Sequence, residues 1–148
     1  MNYTSLIILI TIHLTSGCTM NQNSKKLSLE SIVSVISNSP SSPNYVSSMA
    51  TDKDQFLTPW KFNSSLKETK EKLHQIISKM DRSKIVQNHE RFIYAVFTSK
   101  FFRFKDDLYI YFDTDKQLIH FKSQSRLGHS DLGVNKKRIL SIKEKFLK

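Results

Sequence analysis

Between Leu66 and Ser125 the apolar period changes once, from helical to alternating, and that change sets the class of fold. Leu66, Leu73, Ile76, Ile77 and Met80 fall on one helical face, and Lys67, Glu68, Lys70, Glu71 and Lys72 lie mostly on the other. Asn63 or Ser64 is placed to cap this helix, and Asp81 to Ser83 ends it. Beyond it, Lys84 to Gln87 and Arg91 to Ser99 are rich in β-branched and aromatic residues, joined across Asn88, His89 and Glu90. Asp107 to Asp113 then alternates cleanly. Leu108, Ile110 and Phe112 take one face of that strand, and Tyr109 and Tyr111 take the other. Asp113 to Lys116 reads as a hairpin turn into a strand from Gln117 to Ser125. A last helix is expected from Asn135 to Leu147, burying Ile139, Ile142 and Phe146. Upstream, Leu57 to Phe62 is a strand that Pro59 confines to an edge, because proline cannot donate a ladder hydrogen bond. The order is strand, helix, four strands, helix. Hairpin-linked strands make an antiparallel sheet of about five strands, and the two helices are expected on one face of it. The expected fold class is α+β.

A chain of 148 residues leaves room for one such domain, expected over 45–148. Residues 1–17 read as a signal peptide and 18–44 as a flexible tether. Leu6 to Ile12 is an apolar run too short to span a bilayer, which takes roughly 20 residues, but suited to the core of an export signal. Within the tether, Leu29, Ile32, Val33 and Ile36 have helical spacing over Leu27 to Ile36. Ser37 to Asn44 carries two prolines among hydroxyl side chains and reads as turns. Ser16, Gly17 and Cys18 resemble the lipobox of bacterial lipoproteins, in which a diacylglycerol is attached to the cysteine and the leader is removed before it. No Lys or Arg precedes the apolar run here, and the leucine stands one place early, at Leu14. The alternative is an ordinary cleaved leader beside an incidental cysteine.

Cys18 is the only cysteine, which excludes an intramolecular disulfide, a thiolate metal cluster and a redox pair. The net charge of +10 lies wholly after position 18. Such a surface is drawn to phosphate, whether of nucleic acid or of anionic lipid. An exported chain meets the second, so the expected location is the bacterial envelope. The expected partners are a membrane held through Cys18 and an anionic lipid or envelope protein, with no nucleic acid.

Two stretches concentrate polar chemistry: Phe97 to Asp107, and Ser125 to Arg138. The second holds Gly128 and Gly133, the only glycines beyond the leader, and so marks backbone conformations that other residues resist. Ser125-Arg-Leu-Gly-His-Ser-Asp-Leu-Gly-Val-Asn-Lys-Lys-Arg138 resembles the signature of the domain-of-unknown-function family DUF1499. Phe97-Thr-Ser with Phe104-Lys-Asp-Asp107, and Pro43-Asn-Tyr-Val-Ser-Ser48, resemble its other two shared segments. The resemblance runs from Pro43 to the C-terminus and implies envelope or organelle placement, with no established activity. Family members often carry a cysteine pair around the Pro-Asn segment, where this chain has Ser42 and Tyr45.

The polar candidates are Arg103, Asp106, Asp107, Arg126, His129, Asp131, Asn135 and Arg138. One reading gathers them into an anion site, with arginine forks on a carboxylate or phosphate and helix-start amides beside them. The other is structural. Asp107 and Asp131 pair with Arg126 and Arg138 to hold the loop to the sheet, while Asn135 or Asp131 caps the last helix. Asp106 and Asp107 face opposite ways as strand neighbours, so they do not form a carboxylate dyad. His129-Ser-Asp131 has the residue types of a hydrolase triad, but triad members converge from separate elements and no nucleophile elbow is present. The histidines have no short metal-ligand spacing, so neither metal nor cofactor is expected. Tyr109 and Tyr111 could form a platform for a lipid tail, a ring or a protein on the second sheet face. The expected function is therefore a non-enzymatic envelope module binding a lipid, a small anion or a protein. The alternative is an enzyme using Arg126, His129 and Asp131.

Overall fold

The computed structural model describes residues 26–148. In chain order the elements are α1 (Leu29–Ser37), β1 (Tyr45–Ser47), β2 (Trp60–Lys61), α2 (Leu66–Ser78), β3 (Ser83–His89), β4 (Phe92–Thr98), β5 (Lys105–Asp113), β6 (Leu118–Ser125) and α3 (Val134–Leu147). The fold is α+β, as the change of period implied. The strands form one antiparallel sheet in the order β1-β6-β5-β4-β3, and β2 pairs with the other half of the β6 edge. β2 is an edge strand of two residues directly after Pro59, as the missing proline donor requires.

Local chemistry accounts for the helix limits. Ser65, one place after the expected cap, accepts from the Glu68 amide while Glu68 bonds back to Ser65, a complete capping box for α2. Asp113 Oδ1 accepts the amides of Asp115 and Lys116 and turns β5 into β6. Val86 is the extra residue where the β3–β4 register shifts between Ile85 and Gln87, and this bulge leaves its side chain exposed.

The main core lies between one sheet face and the helices α2 and α3. Leu108, Ile110 and Phe112 of β5 meet Leu73 and Ile77 of α2 and Ile139 and Ile142 of α3, all essentially inaccessible to solvent. Each such side chain contributes about 1.5–3 kcal/mol of burial.

The helix α1 departs from the expected arrangement. It packs on the opposite face, where Ile32 and Ile36 cover Phe92 beside Tyr109 and Tyr111. The described part of the expected tether is therefore folded onto the sheet. Its Ser42, read as a turn residue, makes a long-range hydrogen bond instead, its Oγ donating to the His129 carbonyl at 3.1 Å, and from β1 the Ser47 Oγ donates to the Ile36 carbonyl at 2.7 Å. Lys122 completes the attachment. It is 1% exposed, and its ammonium donates to the Val35 and Asn38 carbonyls at 3.1 and 2.8 Å and lies 4.9 Å from the Tyr45 ring centroid. A lysine from β6 thus satisfies orphan carbonyls at the α1 C-terminus. The expected leader and Cys18 lie outside the described residues.

Candidate functional site

Strand alternation sends the neighbouring carboxylates Asp106 and Asp107 to opposite faces, and each meets its own arginine. On the closed face, Arg138 of α3 donates to Asp106 at 2.6 Å and to Ser123 Oγ at 2.8 Å, with its guanidinium 4.5 Å from the Phe97 ring centroid. It also donates to Asn135 Oδ1. Asn135 is fully buried and its amide donates to the Asn44 carbonyl at 3.0 Å and to Ser125 Oγ at 3.1 Å. Asn44 in turn donates to the carbonyls of Ser125 and Gly128. Its Oδ1 is the one buried side-chain atom without a hydrogen-bond partner among the described residues.

On the other face, Arg126 grips Asp107 with both edges of its fork, Nε to Oδ2 at 3.0 Å and Nη2 to Oδ1 at 2.8 Å. The Tyr94 hydroxyl donates to the same Oδ1 at 2.7 Å, and Tyr94 stacks on Tyr109 with ring centroids 4.9 Å apart and planes within 7°. The Asp107 hydrogen bonds hold the Arg126 guanidinium firmly protonated. Burial, followed by the Asp107 charge, pushes the Tyr109 phenol well above its ordinary range, and burial, followed by the hydrogen bond to Asp107, raises Tyr94.

The sequence candidates therefore divide rather than converge. Asp106, Asn135 and Arg138 form the buried node, and Arg138 pairs with Asp106 instead of Asp131. Asp131 accepts the Asn135 amide at 2.8 Å and the Gly133 amide at 3.1 Å, so the amides expected to hold an anion already face an internal carboxylate. Gly128 and Gly133 have φ of +88° and +76°, the left-handed backbone their scarcity suggested. His129 is exposed and engaged through its carbonyl, and no side-chain hydrogen bond links it to Arg126 or Asp131. Arg103 stands apart in the exposed β4–β5 loop.

The expected platform of Tyr109 and Tyr111 marked the second face but not its groove: Tyr109 lines the hollow, whereas Tyr111 lies beside α1 and outside it. The helix α1 covers only part of its sheet face and leaves an open hollow of about 480 Å³ over β3, β4 and β5. Tyr94 and Tyr109 form its floor, with Val86 and Val96 beside them, and Lys84, Lys105 and Arg126 stand at its margins. Among the described residues no carboxylate lies within ion-pair distance of Lys84 or Lys105. The available signal was the period-2 placement of Lys84, Tyr94, Val96 and Tyr109 on the second face. Among the described residues no three His, Cys, Asp or Glu gather closely enough to hold a metal ion, and no helix is long and apolar enough to cross a membrane.

These features define an antiparallel α+β domain with one sealed sheet face, one half-open face, and a loop node joining sheet to final helix. The chain belongs to the family described as "protein of unknown function (DUF1499)", whose model matches residues 35–146. No curated protein and no solved structure matches it. The segments Pro43–Ser48, Phe97–Asp107 and Ser125–Arg138, which carry the resemblance, meet in space. Asn44, Asp106, Ser125, Asn135 and Arg138 come from all three and interlock at one end of the sheet.

Proposed function

We propose that this protein is a non-enzymatic binding module of the bacterial envelope, held at a membrane through a lipidated Cys18. Its open sheet face takes up an anion with an apolar body, as in a lipid headgroup region or a fatty acid. The observation that carries this reading is the pair of unmatched ammonium groups, Lys84 and Lys105, beside the stacked Tyr94–Tyr109 floor. Aromatic and aliphatic surface favours the tail, and the lysines favour the head. Arg126 contributes mainly by shaping the rim, since Asp107 engages two of its nitrogens. Less supports the enzymatic alternative: Arg126 is paired with Asp107, Asp131 accepts the Asn135 amide, and no side-chain hydrogen bond joins His129 to either.

The test is native mass spectrometry of the full-length protein released gently from its own envelope. The expected spectrum shows a lipid mass at Cys18 and a retained anionic amphiphile that is lost from the double variant Lys84→Glu, Lys105→Glu. A wild-type protein that retains nothing, or a ligand equally retained by the double variant, contradicts the groove reading. An unmodified chain still carrying its leader contradicts the anchor.

A further inference from the structure

At the end of the sheet where the three family segments meet, the β4–β5 loop displays large apolar rings to solvent. Phe101 is 82% exposed and Phe102 79% exposed, at consecutive positions of the loop. The display is built into the loop. The Ser99 amide donates to the Phe104 carbonyl at 2.8 Å, and the Phe104 amide to Ser99 Oγ at 2.9 Å. Arg103 takes a left-handed φ of 55° to close the turn, and Phe102 stacks on Phe104 at 5.5 Å. A non-glycine residue in that conformation costs about 1 kcal/mol or more, so the loop is held in this shape by its clamp.

The surrounding charge is of one sign. Lys100, Arg103 and Lys105 interleave with the rings, and Lys100 lies 5.5 Å from the Phe101 ring centroid. The adjacent carboxylates Asp106 and Asp107 are already committed to Arg138 and Arg126, and Asp81 across the neighbouring turn sits 3.7 Å from Arg82. From this we infer that the Ser99–Phe104 loop is a membrane-contact tip, which seats Phe101 and Phe102 in the interface of an anionic bilayer.

A convex apex with two outward rings suits a fluid, headgroup-lined surface that closes around it. The cations then meet anionic phosphates at the depth where the rings enter apolar material. A second copy of the chain would set like-charged tips against each other, and a two-ring apex is far smaller than the ~800 Å² per partner of a stable protein interface. The inference stands apart from the groove ligand, because Lys100, Phe101, Phe102 and Arg103 line no part of the hollow and could contact a bilayer whether or not the groove is filled.

The experiment uses the full-length chain carrying Cys18→Ser, which removes acylation and the only native cysteine. An environment-sensitive fluorophore is attached at Phe102→Cys or, separately, at Glu90→Cys, an exposed position in the turn at the far end of the sheet. With phosphatidylglycerol-containing vesicles, the label at position 102 should shift to the blue and be quenched by brominated lipid, while the label at 90 stays in water. Adding Lys100→Glu and Arg103→Glu should raise the lipid concentration for half-response at least about tenfold. A silent label at 102, or equal responses at 102 and 90, overturns the inference. So does a response at 102 that follows protein concentration without vesicles, or one elicited by single-stranded DNA alone.

Discussion

The two faces of the sheet carry equivalent strand positions toward different ends. On one face Leu108, Ile110 and Phe112 are sealed beneath α2 and α3, and even the charged pair there, Arg138 with Asp106, is about nine-tenths buried. On the other, α1 covers only Phe92 and its neighbours. The matching pair, Arg126 with Asp107, leaves the arginine 43% exposed at the rim of a groove. One step along β5 thus separates a carboxylate that holds the fold together from one that shapes a surface. Identical residue types take different roles because the cover differs.

The largest expected effect is on the sealed face. Phe112→Ala should cost about 3–5 kcal/mol in urea unfolding, whereas Val96→Ala in the groove should cost no more than about 1 kcal/mol. Equal losses would dissolve the contrast between the faces. The two arginines sharpen it further. Arg138→Ala strands a buried carboxylate and should lower stability by about 3–5 kcal/mol, while Arg126→Ala should cost about 1 kcal/mol at a partly solvated pair.

Lys122, beneath α1, gives the next effect. Burial pulls its ammonium from 10.5 down to about 8, so between those values the unfolded chain holds a proton that the folded chain has shed. Stability should therefore rise with pH through that window, by roughly 1–2 kcal/mol at pH ~9.5, and Lys122→Met should flatten the rise. Thermal melts across the range in both proteins check the sign. The smallest expected change in stability is for Lys84→Glu with Lys105→Glu, within about 0.5 kcal/mol, accompanied by loss of amphiphile binding in a fluorescent fatty-acid titration.

The sealed face was legible in the sequence because periodicity reports burial directly: Leu108, Ile110 and Phe112 alternate, and Leu73, Ile77, Ile139 and Ile142 keep helical spacing. Asp107–Arg126 was also legible, as a structural pair within the family motif. The partner of Arg138 was not. Whether a helical arginine meets Asp106 or Asp131 depends on how α3 docks, which no local pattern encodes. The attachment of α1 was missed for a related reason. Ser42 read as a turn residue of the tether until the His129 carbonyl is brought to it, and no local pattern marks Lys122 as the residue that meets the Val35 and Asn38 carbonyls. Tyr109 and Tyr111 pointed to the second face, but the bounds of the groove were not legible because they are set by the limit of the α1 cover rather than by any motif. Cys18 and the leader rest on sequence alone.

The most direct test of the half-open face is amide chemical-shift mapping on the full-length protein titrated with monomeric dodecyl phosphate. Shifts should gather at Lys84, Val86, Tyr94, Lys105 and Tyr109, with the amides of α2 and α3 unmoved. Shifts gathered on α2 and α3, or none anywhere, would contradict binding at that face.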